Sequence, residues 1–147
     1  MKLTLIAGAV FAFCGCAHQK VATFSYAENV YCPIAGGEFE RNLGDPLLDR
    51  SVEVVDISLS KTNDGARKAN ARVRNATLSP VRVRYRFDWY DTHGGRVVDP
   101  GRVDWEKLTI APGGCESLSS VAPKEADGEC RLNIKKIAQQ GDPKEEG

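Results

Sequence analysis

Neither sign of charge dominates this chain, no two of its cysteines stand at CxxC spacing, and its only histidines are His18 and His93. Each shortage excludes something. Twenty basic residues balance 20 acidic ones, so there is no bulk positive field and no nucleic-acid partner is expected. Without clustered Cys and His there is no ligand set for zinc, and neither a metal nor another cofactor is expected. No uncharged run reaches the roughly 20 residues of a membrane-spanning helix. His93 and Asp91 share a glycine-rich turn, but nothing marks the Ser or Cys that a nucleophile triad would need. His93 therefore reads as a turn residue and the chain as non-catalytic.

What is present suits one globular domain: 147 residues, 41% hydrophobic and 27% charged. Lys2 precedes an uncharged run, Leu3 to Cys16, of the length of a signal-peptide h-region. The run ends in Phe13-Cys14-Gly15-Cys16, which resembles the bacterial lipobox. That resemblance implies a signal peptide over 1–15 and an acylated Cys16 holding the protein to a membrane. Ala17 stands where proteins retained in the inner membrane often carry Asp, so the resemblance implies an outer-membrane lipoprotein facing the periplasm. Loss of Lys2 leaves 19 basic and 20 acidic residues. Cys32, Cys115 and Cys130 remain, an odd number. In an oxidising compartment that means one pair and one thiol, or a bridge between chains.

Residues 16–51 show no sustained period and contain Gly36-Gly37, Gly44 and Pro46. A lipidated tether is expected there, with one short ordered segment at Val30 to Ile34. From 52 to 138 short alternating runs are separated by turn chemistry, and 139–147 is a polar tail. The predicted strands are Val52–Ser60 (Val55, Ile57 and Leu59 on one side), Lys68–Ala76, Val81–Asp91, Arg96–Val98, Val103–Ile110, Cys115–Val121 and Glu129–Ile137. Trp105 is out of parity with Leu108 and Ile110, which predicts a bulge or bend near Glu106-Lys107. In the third strand Val81, Val83, Tyr85, Phe87 and Trp89 share one face, while Arg82, Arg84, Arg86, Asp88 and Tyr90 share the other. The expected fold is an all-β, immunoglobulin-like antiparallel β-sandwich of six to seven strands.

If Lys68–Ala76 and Val81–Asp91 form a hairpin, Arg72 and Arg74 fall beside Arg82 and Arg84, with Arg86 on the same face. Like charges opposite one another destabilise a sheet. Asp56, Asp88 and solvent screening would compensate, or an acidic partner would. Tyr85, Phe87 and Trp89 belong to the core, whereas Tyr90 and Trp105 are the aromatic candidates for contact. Cys115 and Cys130, on consecutive predicted strands, are the candidate disulfide; Cys32 stapling the N-terminal segment is the alternative.

The stretch Tyr85 to Gly95, YRFDWYDTHGG, preceded by Arg74 to Thr77 and followed by Trp105, Ile110-Ala111-Pro112 and Arg131-Leu132, resembles the YcfL family of small bacterial envelope lipoproteins. The resemblance covers roughly Val52 to Ile137. It implies a sandwich fold, no catalytic residues to carry over, and a hint of a link to peptidoglycan synthesis. The expected function is a lipid-anchored periplasmic adaptor with an envelope protein partner. The alternatives are an enzyme or ligand carrier for cell-wall or lipid material, using Asp91, Asp99 and Asp104, and a purely structural lipoprotein.

Overall fold

A computed structural model of the chain describes residues 27–137. The expected signal peptide, Cys16 and the polar tail lie outside the described residues. Nine strands and one short helix follow in order: β1 (Asn29–Pro33), β2 (Phe39–Leu43), α1 (Pro46–Ser51), β3 (Val52–Lys61), β4 (Arg67–Asn75), β5 (Val81–Tyr90), β6 (Arg96–Val97), β7 (Glu106–Ile110), β8 (Cys115–Val121) and β9 (Cys130–Lys136). The larger sheet runs β2-β1-β9-β5-β6, with β7 also paired to β5, and the smaller runs β3-β4-β8. All the pairings are antiparallel. The protein is an all-β sandwich.

Alternation of side chains places the core between the sheets. Val83, Tyr85, Ile110, Leu132 and Ile134 of the larger sheet meet Val54, Ile57, Ala71, Val73 and Leu118 of the smaller. A second cluster joins Trp89 and Cys130 to Ala69 and Ala126. On β3 the inward set differs from Val55, Ile57 and Leu59: the register against β4 shifts between Val54 and Asp56. The extra residue, Val55, reverses the parity, so Val54 and Ile57 are both buried while Val55 is exposed.

The expected tether over 16–51 is corrected for residues 29–51, which are part of the fold; the short ordered segment expected at Val30 to Ile34 is β1. Gly36 and Gly37 adopt φ of 96° and 81°, left-handed values that close the β1–β2 turn without a Cβ penalty. Asp45 caps α1, its Oδ1 accepting from Leu47 N–H (3.0 Å) and Leu48 N–H (3.2 Å). Asn29, fully buried, exchanges two hydrogen bonds with the Asp45 backbone, and Tyr31 Oη donates to Asp49 Oδ1 at 2.8 Å. These bonds fasten the helix to β1, and Leu48 enters the core. Individually weak turn signals conceal a segment that tertiary contacts order.

The predicted hairpin between the fourth and fifth strands does not form. β4 pairs on its two edges with β3 and β8, and the chain then crosses to the other sheet. Asn75, fully buried, shapes the crossing. Its Nδ2 donates to Ser79 C=O (2.7 Å) and Ile110 C=O (3.0 Å), and its Oδ1 accepts from Thr77 N–H (2.9 Å). The side chain thus supplies the bonds that a ladder between β4 and β5 would otherwise supply.

Candidate functional site: a cation row on the outer face of the larger sheet

Separation of β4 from β5 splits the arginines between the two sheets. On the smaller sheet Arg72 and Arg74 stand directly opposite Asp56 and Glu53 on β3. Arg72 Nη2 lies 2.9 Å from Asp56 Oδ2, and Arg74 Nη2 lies 2.5 Å from Glu53 Oε2. All four side chains are about half exposed, so each pair contributes little stability, but its charge is matched. The single arginine face expected from sequence is therefore corrected to two faces in different sheets.

The outer face of the larger sheet is different. Arg84 on β5 is in register with Lys107 on β7 and with Lys135 on β9. Three cations thus lie in one row across three strands, and Arg82 follows two residues along β5 on the same face. Lys135 has a carboxylate partner, Glu28, at 2.7 Å. Among the described residues Arg82, Arg84 and Lys107 have no ion pair. Trp105 lies against the row. Its ring centroid is 4.0 Å from Lys135 Nζ, 4.5 Å from the Arg86 guanidinium carbon and 5.7 Å from that of Arg84. The negative face of the indole offsets part of the repulsion. Trp105 precedes β7 rather than belonging to it, and this explains its parity against Leu108 and Ile110 without a bulge at Glu106.

Beside the row the face is neutralised. Asp88 is only 5% exposed. Its Oδ2 accepts from Arg86 Nε (3.1 Å) and Asn133 Nδ2 (2.8 Å). Its Oδ1 lies 2.8 Å from Arg96 Nε as an ion pair, without hydrogen-bond alignment. Asp104 bridges the same two guanidinium groups from above, at 3.3 Å and 3.2 Å. The Arg131 guanidinium lies 4.7 Å from the ring centroid of Tyr90 and 2.8 Å from Glu129. Burial raises the Tyr90 phenol above its ordinary value. Asp88 was expected from the sequence as a compensating charge; Lys107, Lys135 and Arg96 were not singled out. Alternation places Lys107 opposite Leu108, and Lys135 opposite Ile134, but their alignment with Arg84 depends on register between distant strands.

The expected Cys115–Cys130 bridge is corrected as well. Cys115 is exposed on β8 of the smaller sheet, Cys130 is buried on β9 of the larger, and both are free, as is Cys32. β8 and β9, although consecutive in the chain, lie in different sheets. Cys32 Sγ donates to Glu129 Oε1 at 3.0 Å. Its thiol is pushed up to about 12 by burial, with the Glu129 carboxylate as the next cause.

The carboxylates of the enzymatic alternative are held locally. Asp91 Oδ1 accepts from His93 N–H and Gly95 N–H, both at 2.8 Å, Asp99 Oδ1 from Gly101 N–H at 3.1 Å, and Asp104 is ion-paired. His93 is exposed at its turn. No group of three metal-ligating side chains converges among the described residues.

Residues 40–136 match the family described as "Protein of unknown function (DUF1425)", and the chain belongs to that family. It is similar to the crystal structure of a DUF1425 family member from Shewanella sp. pv-4, with a TM-score of 0.54 and 20% identity over 78% of this chain and 94% of that one. At that identity the likeness shows the fold alone. A second similarity, to Campylobacter jejuni cj0090, has a TM-score of 0.45 and 24% identity over 57% of this chain and 85% of that one, and carries no argument. No curated protein matches the sequence.

Proposed function

We propose that this DUF1425 chain is a YcfL-type lipoprotein: a non-catalytic adaptor held by acylated Cys16 in the outer membrane, facing the periplasm and binding the acidic surface of an envelope protein. The row Lys107–Arg84–Lys135 is the observation that supports the binding surface. Neighbouring like charges cost stability in the isolated molecule. An acidic partner relieves that cost, and arginine's planar fork suits carboxylates. The lipobox-like end of the first segment supports the anchor, and a membrane-held module works on partners in the same compartment. A link to peptidoglycan synthesis remains part of this reading through the YcfL resemblance.

In-cell crosslinking of the lipidated protein tests it, with two reversals of charge on opposite sheets. Arg82→Glu/Arg84→Glu should abolish capture of a specific envelope protein. Arg72→Glu/Arg74→Glu, checked like the first for folding, should leave capture intact. Capture that survives the first substitution, or is lost only with the second, would rule out the cation row as the interface.

A further inference from the structure

One rung is missing from the edge of the larger sheet. On the side of β5 away from β9, Trp89 pairs with Val97 of β6 and Tyr85 pairs with Glu106 of β7. Residues 98–105 leave the sheet between those two positions, so Phe87 is paired with neither strand. The direction of its backbone follows from the ladder. Tyr90 N–H donates to Glu129 C=O, and Arg82 C=O accepts from Ile137 N–H. Even-numbered residues of β5 therefore turn their backbone toward β9, and odd-numbered ones turn theirs toward β6 and β7. The N–H and C=O of Phe87 point into the gap, where no turn or loop backbone group among the described residues bonds them.

The gap is a cavity of about 220 Å³. That is smaller than the roughly 300–1,000 Å³ of a pocket for a drug-sized ligand. Val98 and Val103, 64% and 71% exposed, stand at it as apolar walls. Its charges are mixed. Arg102 donates to Val121 C=O at 3.2 Å and has no ion pair among the described residues. Asp99 and Glu106 also line the cavity without a cationic partner among them, although Glu106 Oε2 accepts from Tyr85 Oη at 2.7 Å.

We propose that this cavity binds a single zwitterionic α-amino acid with an apolar side chain, which completes the missing rung on Phe87. One residue with both ends free matches a one-rung gap. The ligand carboxylate accepts from Phe87 N–H and meets Arg102, its ammonium donates to Phe87 C=O at the β6 end of the gap, near Asp99, and its side chain lies against Val98 and Val103. A longer extended chain does not fit along the edge. β6 and β7 occupy the line at either end, and the four steps from Tyr85 to Trp89 span only about 13 Å. The site is independent of the cation row, and its failure or success leaves that reading untouched.

Titration of the ¹⁵N-labelled full-length protein with L-valine tests the proposal. The Phe87 amide should shift in a saturable way, with a Kd of about 1 mM, and exchange more slowly with solvent as it gains an acceptor. N-acetyl-L-valine lacks the ammonium and L-valinamide lacks the carboxylate, and each should bind about tenfold more weakly. Arg102→Gln should weaken L-valine by about tenfold and leave valinamide unchanged, a pattern that general loss of structure does not produce. No shift up to about 10 mM, shifts that avoid Phe87, or equal binding of the blocked analogues would overturn it.

Discussion

Trp89 Nε1 donates a 2.8 Å hydrogen bond to Ser120 Oγ, and the bond crosses from the larger sheet to the smaller. Both residues are buried. Ser120→Ala leaves the indole N–H with no acceptor and should cost about 1–3 kcal/mol. Adding Trp89→Phe should cost less than the sum of the two single changes, because the donor is gone too. Urea unfolding of the four proteins measures the coupling. A coupling indistinguishable from zero would mean that the bond contributes nothing to joining the sheets.

Asp88→Ala should be the most damaging change on the outer face. It removes the acceptor shared by Arg86 and Asn133 and the ion-pair partner of Arg96. Loss of one partner from a fully buried pair costs about 3–5 kcal/mol; here Arg96 is 40% exposed, so about 2–3 kcal/mol is expected. Thermal unfolding checks it, with Arg72→Ala as a control worth less than about 1 kcal/mol.

Asn75→Ala should destabilise the crossing between sheets by about 2–3 kcal/mol, because Ile110 C=O and Ser79 C=O lose their donor together. Asn75→Asp restores the bonds to Thr77 but not those to the carbonyls, and should recover only part of the loss. Chemical denaturation separates the two. Equal stability of Asn75→Ala and the wild type would show that the turn is held by its backbone alone.

The buried thiols and phenols make the protein sensitive to alkali. Burial is the largest cause raising Cys32, Cys130, Tyr31 and Tyr85, with a carboxylate acceptor next for Cys32 and both tyrosines. Each group keeps its proton in the folded chain after the unfolded chain has lost it. Their contribution is thus complete below the ordinary values of 9.0 for a thiol and 10.0 for a phenol, and is lost as pH rises beyond them. Stability should be level to about pH 8.5 and fall above it. At neutral pH alkylation should reach exposed Cys115 first, and Cys32 and Cys130 only on unfolding. Peptide mapping after brief iodoacetamide treatment checks the order; early modification of Cys130 would contradict it.

Much of the strand pattern was legible in the sequence. Val81 to Asp91 predicted β5 nearly to its ends, and the inward assignment of Val83, Tyr85 and Trp89 holds because a period of two is local to the strand. Val55 was misplaced because a bulge leaves no mark in the alternation of β3. β1, β2 and α1 were missed as parts of the domain because their order comes from bonds such as Asn29 to Asp45, between residues 16 positions apart.

The sequence by itself determined a chain built mainly of β-strands, the inner and outer faces of β5, and the turns at its glycines. Those properties arise from backbone sterics and from burial of alternate side chains. The tertiary structure alone decided that Arg72 and Arg74 meet acids on one sheet while Arg84 aligns with Lys107 and Lys135 on the other. It also decided that Cys115 and Cys130 are apart and that Phe87 faces an empty rung. Pairing and register between distant strands are set by how two sheets share one core, and no local period encodes that choice.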